Sequence, residues 1–386
     1  MDVQRTMFAL IAVELCGRRI DDEIQKGITA DGIPALYAIS KSHDMAHIVG
    51  QALGKMDKLG TDEASAKFQK QQMVAIFRYE RINYELGEIC RVLEAASIKF
   101  IPLKGSVLRK YYPEPWMRTS CDIDILVHED DLEKATDVIV DKLNYKNEGK
   151  SSHDVSMFSE SGVHLELHYG TVEEGRAAEA SEILADIWSY AIPAEGCAYH
   201  HLLSDEMFYF YHIAHMAKHF ENGGCGIRPI LDLWILEHCV PHDNKNRDRL
   251  LEESKLLKFT QVVRDLAQVW FSGEEHTEIT RQTEQYIING GVYGNMGNRV
   301  AVQSTKRGGR FRYAMSKIFL PYNSIKFHYP ILEKHKWLLP FMEIRRWFKL
   351  IFCGHAKRSL NELKYNQTIS ADKADATKKF LENIGL

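Results

Sequence analysis

The stretch Arg118-Thr-Ser-Cys-Asp-Ile-Asp-Ile-Leu-Val127 decides how this chain is read. From Asp122 onward it has the period-two texture of a β-strand. Side chains alternate between the two faces of a strand. Asp122 and Asp124 therefore share one face, about 7 Å apart, while Ile123, Ile125 and Val127 share the other. Aspartate is depleted in strands, and two like charges side by side repel unless a cation lies between them. Hard divalent cations take such oxygen ligands and bridge them to phosphates. A strand with one face in solvent would carry the same pattern, so neighbouring segments must arbitrate.

Downstream, Val163-His-Leu-Glu-Leu-His168 alternates again. Val163, Leu165 and Leu167 form an apolar face, and His164, Glu166 and His168 a polar one. If this strand neighbours the Asp122–Val127 strand, Glu166 becomes a third carboxylate. Three carboxylates can hold two metal ions, which clamp the attacking and leaving oxygens of a phosphoryl displacement. Upstream, Leu103-Lys-Gly-Ser106 joins a predicted strand at residues 98–103 to a predicted helix at 106–112. That junction aims backbone N–H groups and a hydroxyl at an anion. Gly105 permits close backbone approach, and Lys104 supplies a point charge for phosphate. Taken alone, Gly-Ser also suits an ordinary turn and N-cap.

Around these motifs the texture divides in three. Residues 1–97 carry apolar side chains at helical spacing, best seen in Ala75, Tyr79, Ile82, Leu86, Ile89 and Leu93. Residues 98–198 form a compact unit of short strands and helices, including a helix at 130–143 and a hairpin around Glu160-Ser-Gly162. Residues 199–386 are helical again, clearest at 207–220 and 227–239. The fold class is α+β: a small mixed β-sheet core flanked by N-terminal and C-terminal helical regions.

Taken in order, Leu103-Lys-Gly-Ser106, Arg118, Asp122-Ile-Asp-Ile-Leu-Val127 and Glu166 resemble the polymerase-β-like nucleotidyltransferase superfamily. The resemblance is closer to the bacterial family called uncharacterised nucleotidyltransferases, and it extends to His212, His215 and the Asp232-Leu233 pair. It implies transfer of a nucleoside monophosphate from an NTP, ATP being the first choice, to an acceptor with release of pyrophosphate. Mg²⁺ or Mn²⁺ is the implied cofactor. In that reading Asp122 and Asp124 bind both metals, and Glu166 binds the catalytic one and helps activate the acceptor hydroxyl. Gly105 and Ser106 hold the β and γ phosphates with Lys104 or Arg118 near them. His168, His212, His215 and Asp232 are candidate cleft residues. The acceptor is left open among a small molecule, a glycan and a protein.

The 386 residues are 45% hydrophobic and 26% charged, with a net charge of -4. This composition excludes collagen-like, disordered and disulfide-dense chains. Seven scattered cysteines without a Cys-x-x-Cys pair fit reduced thiols in the cytoplasm, and no apolar run reaches the roughly 20 residues that span a bilayer. His212, His215 and His219 share one helical face; zinc would need further ligands such as Cys225 or His238, and packing against the α/β unit is the simpler reading. The small net charge conceals an asymmetry. Residues 299–358 hold fourteen Lys and Arg against Glu333 and Glu343, so this window carries +12 and the remainder -16. Aromatic residues interleave with the basic ones, and residues 342–353 have the pattern of an amphipathic interfacial helix. Two other functions therefore stay open beside the enzyme: a non-catalytic nucleotide-sensing or protein-interaction member of the fold, and an RNA-binding or tailing protein that uses the basic segment.

Overall fold

A computed structural model describes residues 1–171, 178–292, 294–352 and 371–386. The sequence-predicted organisation is present: a small mixed sheet with helices before and after it. The chain opens with the helices Val3–Cys16, Asp22–Gly27, Ile33–Ser42 and Ala46–Lys55. The 33-residue helix Glu63–Ala95 follows. Its start is defined by Asp62, whose Oδ1 accepts from the backbone N–H of Ala64 at 2.9 Å and of Ser65 at 3.1 Å, satisfying donors that a helix end leaves orphaned.

Five strands then form the main sheet: β1 (Phe100–Pro102), β2 (Asp122–Val127), β3 (Lys146–Lys150), β4 (Asp154–Phe158) and β5 (His164–His168). Their spatial order is β1-β2-β5-β4-β3. Only β2 and β5 run parallel; the other neighbours are antiparallel. A parallel pair needs a crossover. Here the helix Leu132–Leu143 and the β3–β4 hairpin separate the two strands in sequence. The register sets Asp124 opposite Glu166, and Asp122 opposite His164. The hairpin expected around Gly162 joins β4 to β5, and Gly162 takes φ 79°, a left-handed conformation natural to glycine. β3, with the exposed sequence Lys-Asn-Glu-Gly-Lys, has no alternating pattern by which to predict it.

The two faces of the sheet have different partners. Ile123, Ile125, Val127, Leu165, Leu167, Val155 and Met157 pack with Ile82, Ile89 and Leu93 of the long helix and with Ala135 and Ile139 of the crossover helix. Burying each large aliphatic side chain stabilises the fold by about 1.5–3 kcal/mol. The other face carries the carboxylates, and near it Ile101, Leu103 and Leu126 join a second core. That core is shared by N-terminal residues such as Leu10, Ile48 and Leu53 and by C-terminal ones such as Phe210, Ile213, Leu231 and Phe259. The helices Asp205–Glu221 and Arg228–His238 belong to it, so helices from both ends of the chain close over the polar face. Among the described residues no helix is long and apolar enough to cross a membrane. Lys357 and Arg358 of the basic window, and the end of the amphipathic run, lie outside the described residues.

Candidate active site

Asp124 is the centre of the site. It is 3% exposed in the middle of β2, and its Oδ1 accepts from Lys104 Nζ at 2.7 Å and faces His168 Nε2 at 2.9 Å. Burial works against its charge, but the Lys104 ammonium and the His168 ring outweigh burial and hold the carboxyl well below the usual carboxylate range. Glu166 behaves in the opposite way. Burial, and then the neighbouring Asp124 carboxylate, push it up to about 7. Glu166 Oε2 lies 3.5 Å from His168 Nε2. Two carboxyl groups in one polar recess, one firmly ionised and one raised toward neutrality, form the pattern of a cation or proton site.

Lys104 comes from the turn between β1 and the short helix Gly105–Leu108. Its backbone lies at φ 47° and ψ -121°, a sparsely populated conformation for a side chain with a Cβ, at a cost of about 1–3 kcal/mol. Burial disfavours the ammonium, yet Asp124, Tyr211 and Glu166 around it raise its pKa overall. Beside it, Ser106 Oγ is buried without a hydrogen-bond partner. An orphaned buried hydroxyl costs about 1–3 kcal/mol and calls for a ligand. Gly105 is packed against Arg118: a Cβ there would lie 2.9 Å from Arg118 Nη1.

Arg118 pairs with a different carboxylate from Lys104. Its Nε and Nη2 donate to Asp232 Oδ1 and Oδ2 at 3.0 and 2.8 Å, a bidentate pair that is nearly inaccessible to solvent. Tyr112 O–H donates to the same Asp232 Oδ1 at 2.6 Å. Asp232 sits on the helix Arg228–His238, so the pair ties the loop before β2 to the C-terminal helices. A second tie lies nearby: Thr119 Oγ1 donates to Asp44 at 2.8 Å, and Arg228 pairs with the same carboxylate. Arg109 is also buried here, donating from Nε to the Gly105 carbonyl and from Nη2 to Ser120 Oγ. Burial and then Arg118 lower its pKa to about 10.

The expected residues thus divide into groups. Among the described residues, one group of three or more His, Cys, Asp or Glu side chains brings ligand atoms close enough to share an ion: Asp124, Glu166 and His168, all within 4.8 Å. Asp122 lies on the same strand face but outside that group. Its charge still acts on Glu166, Arg109 and Arg118. His212 Nε2 meets the Pro229 carbonyl at 2.9 Å, and burial lowers its pKa. His215 Nε2 meets His219 Nε2 at 2.9 Å. His212 thus meets the neighbouring helix Arg228–His238, while His215 and His219 meet each other on the helix Asp205–Glu221.

Other residues of the recess carry no signal in their own segments. Lys218, on the helix Asp205–Glu221, faces Lys104, Glu166 and Asp154; burial and then Lys104 lower its pKa to about 8. Tyr211 of the same helix lies near Lys104. The His153 ring stacks 6.0 Å from His168. The seven-residue spacing of Tyr211 and Lys218 places them on one helical face, a pattern that becomes informative only once Lys218 is seen to face Glu166 of β5. A cleft of about 640 Å³ between Arg18, Trp270 and Glu284 is lined by none of these residues. The chemistry of the carboxylates, rather than cleft size, identifies the site.

A family model described as "Uncharacterised nucleotidyltransferase" matches residues 29–272. That range spans every residue of the recess and the whole sheet. No curated protein and no solved structure matches the chain.

Proposed function

Because the chain belongs to the uncharacterised nucleotidyltransferase family, we propose that it transfers a nucleoside monophosphate from an NTP, ATP first, to an acceptor hydroxyl. The observation that carries this reading is the parallel pairing of β2 with β5, which sets Asp124 against Glu166 with Lys104 and His168 on the same carboxylate. A catalytic core at residues 98–198, flanked by helical regions on both sides, is the division of labour that follows.

The donor set supports a divalent cation, Mg²⁺ or Mn²⁺. Asp124, Glu166 and His168 would hold it, with Asp122 contributing from the same strand face. When bound, such an ion neutralises phosphate charge and polarises the phosphoryl oxygens. The protein's own groups do the rest. Lys104, cationic at the edge of the recess, balances the triphosphate. Ser106 Oγ, buried and orphaned, gains a phosphate oxygen as its partner. Glu166, set beside Asp124 across the parallel pair, takes the acceptor hydroxyl proton at its carboxylate. The acceptor oxygen then forms a bond to the α-phosphorus while the bond from that phosphorus to the bridging oxygen breaks, and pyrophosphate leaves. Arg118 holds the loop before β2 through Asp232 and so positions Asp122 and Asp124. The described cysteines are all free, which supports a reducing compartment, the cytoplasm.

The test is incubation of the full chain with each α-labelled NTP, Mg²⁺ or Mn²⁺, and fractionated lysate. Label is expected in one acceptor fraction with the wild type and in none with Asp124→Asn or Glu166→Gln. Equal labelling by the wild type and both variants would sink the assignment. NTP binding without any transfer would favour a non-catalytic nucleotide sensor.

A further inference from the structure

We propose that residues 334–349 form a peripheral membrane-binding surface that docks on an anionic lipid bilayer. This surface lies beyond the range of the family match and is independent of the reaction proposed above. Here the short turn Lys336–Leu338 leads into the helix Leu339–Phe352. One face of this helix is held by the protein. Glu343, 5% exposed, accepts from Leu320 N–H at 2.7 Å and from Arg346 Nε at 2.9 Å. Trp347 Nε1 donates to the Ile318 carbonyl at 2.8 Å. These contacts fix the rotation of the helix about its own axis.

The opposite face is apolar and points to solvent. Trp337 is 69% exposed, Phe341 59% and Ile344 47%. Their spacing of four and three residues stacks them on one side, and the Trp337 and Phe341 rings meet edge to face at 6.4 Å. Exposed aromatic and aliphatic groups in one row mark an interaction site rather than scattered surface residues. The row is bordered by Lys334, Lys336, Arg345 and Lys349, all exposed. The single acid between Lys334 and Lys349 is Glu343, which is turned inward.

Charge selects the partner. The surrounding window of residues 299–358 carries +12, so pairing this face with the same face of a second copy would bring like charge against like charge. An anionic bilayer answers both features. Its headgroups attract the basic border, with the attraction falling off within a Debye length. Its headgroup–acyl boundary accepts the Trp337, Phe341 and Ile344 row lying in plane. Single-stranded nucleic acid would match the charge and the rings, but it offers no apolar phase for Ile344.

The full chain is mixed with vesicles of phosphatidylcholine alone or containing phosphatidylglycerol, at low and high salt, and bound protein is separated by flotation. Binding is expected with the anionic vesicles only, and it is expected to weaken as salt rises. Phe341→Glu combined with Ile344→Glu should weaken partitioning about tenfold or more, as expected for removing two apolar anchors. Arg345→Glu with Lys349→Glu should abolish the preference for anionic lipid. Because all four positions are exposed, each variant should keep the wild-type thermal melt, which is measured in parallel. The proposal is overturned if the chain ignores anionic vesicles, if the Phe341 and Ile344 variants bind as well as wild type, or if the same surface captures single-stranded RNA while leaving vesicles unbound.

Discussion

The Lys104 ammonium sits 2.7 Å from Asp124 Oδ1, on the very carboxylate that would receive a divalent cation. Lysine and metal therefore compete for one oxygen. Lys104→Met should bind Mn²⁺ several-fold to roughly tenfold more tightly in the absence of nucleotide, since a nearby like charge disfavours the ion. Transfer should fall at the same time, because the triphosphate loses its counter-charge. Calorimetric titration with metal alone, set beside a labelling assay, separates the two effects. Unchanged metal affinity would show that Lys104 swings away at no cost.

Glu166 makes the stability of the metal-free protein depend on pH. Its pKa is raised from 4.5 in the unfolded chain to about 7 in the fold. Between those values the folded state binds more protons than the unfolded one, so stability falls as pH rises through this window. Asp124 acts in the opposite sense but at lower pH, where its depressed pKa makes stability fall as the solution is acidified. Histidines whose pKa burial lowers, His47 and His212 among them, push stability the other way over part of this range, so the Glu166 contribution is read as the difference between wild-type and Glu166→Gln melts in chelator. From pH 5 to 7.5 the wild type should lose stability relative to Glu166→Gln, and saturating Mg²⁺ should shrink that loss by holding Glu166 ionised. A difference that does not change with pH would contradict the environment assigned to Glu166.

The Arg118–Asp232 pair tests the tie between the sheet and the C-terminal helices. Asp232→Asn leaves a buried guanidinium without its counter-charge, a change that costs about 3–5 kcal/mol. The double change Arg118→Met with Asp232→Leu removes both charges and should cost less than Asp232→Asn alone. Denaturant unfolding gives both numbers. An Asp232→Asn variant as stable as wild type would mean that the pair is not a structural tie.

Ser106 and Gly105 separate binding from folding. Ser106→Ala removes an orphaned hydroxyl, so stability should stay the same or rise slightly, while NTP affinity falls. Gly105→Ala should be destabilising by about 1–3 kcal/mol, the usual cost of overpacking, because the new Cβ meets Arg118 Nη1 at 2.9 Å. Fluorescent nucleotide titration and denaturant melts on both variants check the contrast.

Much of the core was legible before the structure. The period-two runs around Asp124 and Glu166 correspond to β2 and β5, and Gly162 marks the hairpin that leads into β5. β3 was not, because its five residues are exposed on an edge where nothing selects for apolar alternation. Lys218 and Tyr211 were hidden for a different reason: Lys218 lies far in sequence from Glu166 and Tyr211 far from Lys104, on a helix whose own pattern reports only its burial.

Sequence alone determined which residues carry charge on the polar faces of two strands, because alternation along a strand is a local property of the backbone. It could not say that these strands lie side by side and in parallel, since strand pairing is a long-range contact set by the packing of both sheet faces. Nor could it choose the partner of Arg118. Lys104, not Arg118, pairs with Asp124, because Asp232 arrives from a helix more than a hundred residues away and takes both arms of the guanidinium. Tertiary structure decided that question, since a bidentate ion pair forms only where two distant segments are packed together and shielded from water.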